Sequence, residues 1–127
     1  MQNPKDTGYQ GAGYRETRPW GEFSVIYEEG VVKMKRITVL PEQSLSLQMH
    51  HKREEYWVVL QGTATVTVGD KILQLKRGET VYIGKETRHR LANESKENLI
   101  IAEMQIGEYL GEDDIVRFAD HYGRVQN

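Results

Sequence analysis

The chain has 127 residues, with 17 basic and 19 acidic side chains, a net charge of −2, a pI near 6.1 and no cysteine. This length favours one domain, large enough to remove roughly two thirds of the unfolded chain's surface from water. The charge balance argues against nucleic-acid or membrane partners, and the absence of cysteine excludes disulfides and thiolate ligands. Because no apolar run approaches the roughly 20 residues of a membrane span, or the core of a signal peptide, we expect a cytoplasmic protein.

The N-terminal segment differs from the rest of the sequence. Residues 1–17 contain Gly8, Gly11 and Gly13 among polar residues and show neither helical nor strand periodicity. We therefore expect a flexible leader over residues 1–17, followed by a single domain over residues 18–127.

From Gly21 onward, short alternating segments are separated by frequent turn signals, a pattern typical of an antiparallel barrel or sandwich. The clearest hairpin joins residues 63–68 to residues 71–75 through a turn at Gly69 and Asp70. The predicted strands cover residues 22–27, 31–40, 44–50, 55–61, 63–68, 71–75, 80–83, 88–93 and 98–106.

The C-terminal part breaks the strand pattern. Ile115, Phe118 and Ala119 recur at helical spacing behind acidic residues that suit a helix start. We expect a short helix within residues 112–122 that packs on the barrel. The predicted fold class is all-β, a small antiparallel β-barrel or jelly roll with a short C-terminal helix.

Four side chains form a candidate metal site. Gln48 and His50 are two residues apart in a predicted strand, so both project from the same face. Glu55 opens the next strand, and His89 follows much later in the chain. An amide oxygen, two imidazoles and a carboxylate suit a borderline or hard divalent ion and leave coordination positions for substrate.

The alternative is that residues 50–55 form a charged helical turn with ion pairs at i, i+4 spacing. The flanking sequence argues against a helix, because residues 44–49 alternate and residues 56–60 are aromatic and β-branched. We therefore interpret residues 50–55 as the corner between two strands.

The spacing of these residues resembles the two motifs of the cupin superfamily. Glu55 is followed by six residues and then by Gly62, as at the end of the first motif. Gly78, His89 and Asn93 match the second motif at the right separations. The sequence departs from the motifs at Gln48, which replaces the first histidine, and at Pro41, Gly84 and Glu86.

Within the cupins, the chain is similar to the C-terminal domain of type II phosphomannose isomerases, which also occurs fused behind a mannose-1-phosphate guanylyltransferase. In one motif Tyr56 replaces the usual histidine, which puts a proton-shuttling role there in doubt. The residues that carry the resemblance are 18–21, 32–36, 45–51, 55–57, 62–64, 89–93 and the closing segment 103–124.

This resemblance implies a metal-dependent isomerase that interconverts mannose 6-phosphate and fructose 6-phosphate. It implies one divalent ion held by Gln48, His50, Glu55 and His89; zinc is the expected ion, and manganese, nickel, cobalt and iron are alternatives. The related type I isomerases also use a glutamine in this ligand set, so Gln48 favours an isomerase over an iron dioxygenase. The guanylyltransferase activity of longer relatives is expected to be absent.

Isomerisation also needs a group that carries a proton. On the strand over residues 31–40, Lys33 and Lys35 share the face of the apolar Ile37, so Lys35 is a candidate base or phosphate contact. Glu103 lies on the last predicted strand and is an equally good candidate. The alternatives are a lysine that extends to solvent and a glutamate on a solvated edge.

A sugar phosphate also needs cations, and guanidinium groups bind phosphate in a fork that lysine does not copy. The resemblance makes Arg117 and Arg124 the preferred pair; salt bridges from Arg117 to Asp113 or Asp114 are the alternative. The available arginines are Arg53, Arg88, Arg90, Arg117 and Arg124.

Two other classes of function remain open from the sequence. One is isomerisation or epimerisation of a different sugar or sugar phosphate. The other is a sugar-binding module, with or without metal, that regulates or partners a separate guanylyltransferase. For the isomerase we expect a small-molecule sugar phosphate as the ligand, no nucleic acid and no membrane. We also expect a homodimer, since the open edge strands of a small barrel need covering.

Overall fold

The computed structural model describes residues 9–119, which form eleven β-strands in two antiparallel sheets. A six-stranded sheet has the order β1-β2-β3-β10-β5-β8, and a five-stranded sheet has the order β11-β4-β9-β6-β7. Among these residues no helix is long and apolar enough to span a membrane. The strands are β1 (Arg15–Arg18), β2 (Gly21–Glu29), β3 (Val32–Val39), β4 (Leu47–Met49), β5 (Arg53–Gln61), β6 (Thr63–Val68), β7 (Lys71–Lys76), β8 (Thr80–Ile83), β9 (His89–Ala92), β10 (Leu99–Gly107) and β11 (Val116–Ala119).

The two sheets enclose an interior that is apolar at one end and polar at the other. The strands bury alternate residues, as expected when one face of each sheet packs on a core. The apolar part consists of Trp20, Phe23, Val25, Ile37, Val39, Trp57, Val59, Ala64, Val66, Ile83, Leu91, Leu99 and Ile101.

The polar part follows from the register of three neighbouring strands in the six-stranded sheet. Lys35 on β3 pairs with Glu103 on β10, and Lys33 pairs with Gln105 in the same ladder. Across the other side of β10, Gln105 pairs with Glu55 on β5. All five side chains face the interior and are buried. Directly paired residues in an antiparallel sheet are close neighbours, so the register alone concentrates these charges in one place.

The outer face of the same sheet is also rich in apolar side chains. The register places Met34, Met104, Tyr56 and Tyr82 in one row across β3, β10, β5 and β8. The rings of Tyr56 and Tyr82 lie 5.0 Å apart and remain 44% and 50% exposed. This apolar row contrasts with the inner face of the same sheet, where Lys35, Glu103 and Glu55 lie in the two neighbouring rows.

The predicted C-terminal helix is wrong for the residues that the structure describes. Val116–Ala119 form β11, which pairs with β4 and sets Arg117 opposite Gln48. The short strand β4 would otherwise be an open edge, and pairing with β11 satisfies backbone groups that a helix could not reach. Although Ile115, Phe118 and Ala119 have helical spacing, Phe118 and Ala119 therefore lie in a strand and Ile115 lies directly before it. The rest of the predicted helix, residues 120–122, lies outside the described residues.

The sheet also begins earlier than the expected domain boundary at residue 18. Arg15–Arg18 form β1, which pairs with β2, and Gly13 N donates to Val25 O at 2.8 Å. Sequence periodicity gave no signal here, since every residue of β1 is polar. Residues 1–8 of the expected leader lie outside the described part of the chain.

Asn93, which the sequence motif singled out, joins three backbone segments behind the core. Its side chain is buried, and Nδ2 donates to Val39 O at 3.0 Å, Leu40 O at 3.2 Å and Glu97 O at 2.6 Å. Its Oδ1 accepts from the backbone N of Ser95 at 3.0 Å. One amide thus satisfies polar groups of both the strand β3 and the loop before β10, which makes its role structural.

We predict that Asn93→Ala lowers the free energy of unfolding by about 3 kcal/mol, since it leaves several buried backbone groups without partners. Urea denaturation would measure the change. Asn98→Ala, the same replacement at an exposed position of the same loop, is the control and should cost less than about 0.5 kcal/mol. Equal stability of the two variants would contradict this role.

Candidate metal centre and substrate pocket

The polar end of the interior opens into a pocket of about 580 Å³, including its mouth. Both sheets contribute to its wall, and its apolar floor continues into the core. Its lining contains nearly all of the residues that the sequence singled out. The polar lining residues are Arg18, Lys35, Ser46, Gln48, His50, Arg53, Glu55, His89, Glu103, Glu112 and Arg117.

Three of the four predicted metal ligands form a compact cluster. One potential ligand atom from each of His50, Glu55 and His89 lies within 4.8 Å of the others, and all three side chains are buried. His50 follows β4 and His89 begins β9, and these neighbouring strands meet through the pairing of Gln48 with His89. Glu55 comes from β5 of the opposite sheet. The cluster therefore forms only when the two sheets pack against each other.

Both imidazoles are oriented by backbone carbonyls. His50 Nδ1 lies 2.6 Å from Asp114 O, and His89 Nδ1 lies 2.9 Å from Thr87 O. A carbonyl oxygen only accepts, so each Nδ1 carries the proton and each Nε2 presents a lone pair. This is the arrangement that metal-binding histidines commonly have.

The same two histidines are held in the neutral form. Burial and the positive charge of Arg53 lower the pKa of His50 to about 4. Burial also lowers the pKa of His89. Both rings are therefore neutral at pH 7 and can ligate a metal without first losing a proton.

Glu55 is ionised in spite of its burial. Burial acts to raise its pKa, but Arg53 and the two histidines hold the pKa well below its usual range. Arg53 Nε donates to Oε2 at 2.8 Å, and Trp57 Nε1 donates to Oε1 at 2.8 Å. Two fixed donors thus orient a buried carboxylate toward the cluster.

The donor set fits a divalent cation. Two neutral imidazole Nε2 atoms and one carboxylate converge in the cluster. The Arg53 guanidinium contacts both Glu55 and His50. Its positive charge keeps the carboxylate ionised and the imidazole neutral. Arg53 Nη2 lies 3.2 Å from His50 Nε2. Nitrogen and oxygen donors of this kind suit zinc and the neighbouring divalent transition metals.

Gln48, the fourth predicted ligand, lines the same pocket and is half-buried. Its amide nitrogen donates to Ser46 Oγ at 3.0 Å and is 3.3 Å from Ser46 O. These contacts fix which end of the amide is nitrogen and leave Oε1 as the potential ligand atom. Ligation by Gln48 stays a prediction.

The two candidate catalytic residues lie beside the cluster. Lys35 is buried, forms an ion pair with Glu112 and holds its ammonium 4.0 Å from the centre of the Phe23 ring. Glu103 is buried and accepts from Gln105 Nε2 at 2.6 Å. Burial and the neighbouring charge of Glu55 raise the pKa of Glu103 to about 8. A carboxyl with a pKa near neutrality can both give and take a proton.

Of the two candidate phosphate-binding arginines, only one lies in the part of the chain that the structure describes. Arg117 lines the pocket, whereas Arg124 lies outside the described residues. Asp114, one proposed salt-bridge partner of Arg117, accepts instead from the backbone N–H groups of His51 and Lys52, both at 3.0 Å. Arg90 donates to Ala119 O, and the guanidinium of Arg88 lies over the Phe118 ring.

Two pocket residues were missed as site residues in the sequence. Arg18 appeared only within a motif, and Glu112 only within the predicted helix and the closing segment 103–124. Both reach the pocket from polar segments, β1 and the loop between β10 and β11, whose sequences have no apolar periodicity to indicate which side chains face inward. Their place within the segments that carry the resemblance was the one sequence signal that could have drawn attention to them.

We predict about one divalent ion per chain in protein purified without chelator, and loss of this ion from His50→Ala and His89→Ala. Gln48→Ala should weaken binding less, because an amide oxygen is the poorest of the four donors. Elemental analysis and competition with a chromogenic chelator would measure occupancy and affinity. His51→Ala is the matched control, since His51 adjoins the site but its side chain is 46% exposed. Full metal retention in a His50/His89 double variant would contradict the assignment.

Comparison with known proteins agrees with this geometry. The model of the family described as "Mannose-6-phosphate isomerase C-terminal" matches residues 9–120. The chain is 52% identical over 108 residues to the xanthan biosynthesis protein XanB of Xanthomonas campestris pv. campestris (strain B100), covering 85% of this chain and 23% of that protein. It is 49% identical over 108 residues to the mannose-1-phosphate guanylyltransferase of Escherichia coli (strain K12), with the same two coverages. The chain thus spans less than a quarter of the length of these relatives.

The fold has a solved counterpart. A conserved protein with a double-stranded β-helix domain from Klebsiella pneumoniae superposes with a TM-score of 0.67, covering 94% of this chain and 92% of that chain at 16% identity. At this identity the likeness concerns the fold alone, and it is the fold of the cupins. The family match, in contrast, extends over the strands and the pocket together, and the chain therefore belongs to the family of mannose-6-phosphate isomerase C-terminal domains.

Proposed function

We propose that this chain is a metal-dependent aldose–ketose isomerase that interconverts mannose 6-phosphate and fructose 6-phosphate. The observation that carries the proposal is the content of the pocket, where the His50, Glu55 and His89 cluster lies beside the buried Glu103 and Lys35. Membership of the family supports mannose phosphate chemistry. A site that only binds sugar has no need of a buried carboxyl with a pKa near neutrality.

The reaction moves one proton between two adjacent carbons of the open-chain sugar. A base removes the proton from C2 of the aldose, an enediolate forms, and the proton returns to C1, while a hydroxyl proton passes from O2 to O1. The sugar is neither oxidised nor reduced overall. The protein must therefore supply one proton carrier and stabilise the negative charge of the enediolate.

We assign the proton carrier to Glu103. Its pKa is raised to about 8, so the carboxyl exchanges its proton readily near neutral pH. Lys35 is held in an ion pair with Glu112, and this geometry supports a role for Lys35 as a fixed cation rather than a base. Lys35 pairs with Glu103 in the sheet, so the two residues would act on neighbouring parts of one substrate.

His50, Glu55, His89 and, by prediction, Gln48 would hold the metal. When bound there, a divalent ion supplies Lewis-acid stabilisation of the oxygens on C1 and C2. Arg53 keeps Glu55 ionised and oriented, and Trp57 fixes the second carboxylate oxygen. Zinc is our proposed ion, since two imidazoles and a carboxylate are among its usual protein ligands.

The phosphoryl group would bind at the cationic side of the pocket. Among the residues that the structure describes, four cationic side chains line the pocket, whereas only two ionised carboxylates, those of Glu55 and Glu112, oppose them. Glu103 contributes little negative charge because it is largely protonated. The excess of positive charge suits a dianionic ligand. We propose Arg117 as one phosphate contact, since its guanidinium can bind two phosphate oxygens at once.

We predict that the protein incorporates deuterium at C1 or C2 of the hexose phosphate during turnover in heavy water, and that chelator stops both exchange and ketose formation. Proton NMR would follow both. If metal-loaded protein binds mannose 6-phosphate but gives neither exchange nor ketose over hours, the isomerase proposal fails. The sugar-binding alternative would then replace it.

Replacement of the proton carrier should lower turnover far more than substrate binding. We expect Glu103→Gln to lower kcat by about 100-fold or more with little change in KM. Lys35→Met should raise KM more than it lowers kcat, because it removes a cation. Glu108→Gln, at an exposed glutamate just beyond β10, is the control and should leave both constants unchanged. The opposite pattern would make Lys35 the base.

For the phosphate contact, Arg117→Lys should weaken mannose 6-phosphate binding about tenfold, since it keeps the charge but loses the two-point geometry. Isothermal titration would measure the affinity. Arg77→Lys, at an exposed site beyond β7, is the control. Unchanged affinity in Arg117→Lys would move the phosphate contact elsewhere in the pocket.

A further inference from the structure

Glu112 is an anion placed among the cations of the pocket. Its carboxylate forms the ion pair with Lys35, and Arg18 Nη2, which is itself in direct ion-pair contact with Glu16, lies 3.9 Å from its other oxygen. Arg53 is also close enough to stabilise the Glu112 charge, as the Glu112 charge stabilises that of Arg53. Three cations from three different strands therefore converge on one carboxylate of the loop between β10 and β11.

These contacts keep Glu112 charged. Burial would raise its pKa, but Lys35 and Arg53 lower it to about 2. The carboxylate is thus an anion at neutral pH. A side chain of this kind offers two oxygens to the surrounding cations, which is part of what a phosphoryl group offers.

Two of the cations around Glu112 have donors that their carboxylate partners, Glu16 for Arg18 and Glu55 for Arg53, leave unsatisfied. Within residues 9–119, Arg18 Nε and Arg53 Nη1 are buried and have no hydrogen-bond partner. Unpaired guanidinium N–H groups in a pocket wall are costly unless a ligand satisfies them. A phosphomonoester has three terminal oxygens and about two negative charges, so it could satisfy more donors than a carboxylate can.

The side chain of Glu112 can also be displaced without dismantling the site. It is 29% exposed, whereas Lys35, its partner, is 3% exposed. Two residues later, Asp114 anchors the same loop through His50 Nδ1 and the backbone N–H groups of His51 and Lys52. The anchor and the displaceable carboxylate are therefore separate residues.

We propose that Glu112 occupies the phosphoryl position of the pocket in the unliganded protein, and that a phosphomonoester binds by displacing this carboxylate from Lys35 and Arg18. The identity of the substrate rests on the proposed function, but the ligand chemistry, a phosphoryl dianion, rests on the cations themselves. Glu112 then acts as an internal competitor. When no ligand is bound, Glu112 preserves the arrangement of the buried cations. Because it competes for the same cations, it also reduces the affinity of the pocket for phosphate.

The competing explanation is that Glu112 only anchors the loop to Lys35. The two explanations predict opposite changes. If Glu112 competes with phosphate, removing its charge strengthens phosphate binding. If Glu112 is only an anchor, removing its charge loosens the pocket and weakens phosphate binding or leaves it unchanged.

The test is isothermal titration of the full chain with inorganic phosphate, mannose 6-phosphate and unphosphorylated mannose. Glu112→Gln should bind both phosphates about tenfold more tightly than the unmodified protein, whereas the affinity for mannose should not change. Glu108→Gln, an exposed carboxylate near the same loop, should behave like the unmodified protein. Adding Lys35→Met to Glu112→Gln should abolish the gain.

Unchanged or weaker phosphate binding by folded Glu112→Gln would overturn the proposal. If that variant does not fold, Glu112→Asp must show the gain, since the shorter side chain withdraws the charge from Lys35, and its failure to do so has the same consequence. These measurements involve no turnover. A protein that shows the phosphate gain but no isomerisation would refute the proposed reaction alone, and an active isomerase without the gain would refute the role of Glu112 alone.

Discussion

The ion pair between Arg53 and Glu55 is the interaction on which the rest of the pocket depends. Both side chains are buried, and an isolated charge in that position would cost several kcal/mol. Arg53 holds Glu55 ionised, contacts His50 and contributes to the field that holds Glu112 charged. The remaining charged groups are arranged around this pair. A pocket built on mutual compensation of this kind tolerates the loss of both partners better than the loss of one.

The sheets position the site through register, and one loop completes it. The ladder β3–β10–β5 places Lys35, Glu103 and Glu55 on the inner face, whereas His50 and His89 come from the opposite sheet. The loop between β10 and β11 then supplies a backbone carbonyl to His50 and a carboxylate to Lys35. The orientation of a potential metal ligand and the occupancy of the cationic side of the pocket thus depend on the same eight-residue loop, 108–115.

The site residues that could be predicted from the sequence lie on strands in which apolar residues alternate, or in motifs with a characteristic spacing. Alternation placed Lys35 on an inward face and left Glu103 open between the interior and a solvated edge. Motif spacing grouped His50, Glu55 and His89 into one cluster. In the described part of the predicted helix, residues 112–119, the prediction was wrong because local spacing does not report the open edge of β4, which only the assembled sheet creates. Arg18 and Glu112 were not identified because β1 and the loop are polar, and partner charges distant in sequence decide which side chains enter the pocket.

The row of Met34, Met104 and Tyr56 on the outer face of the six-stranded sheet has a consequence for folding. In many half-buried sheets, a slip of one residue is prevented because it would exchange an apolar face for a polar one. Here the outer face also contains apolar side chains, at Met34 and Met104, so hydrophobicity discriminates least between the correct and the slipped pairing at the pocket end of the ladder between β3 and β10. A slipped ladder would instead separate Lys35 and Glu103 from their partners in the pocket. The charged groups that equip the pocket for chemistry therefore also help to specify the strand register where hydrophobicity discriminates least.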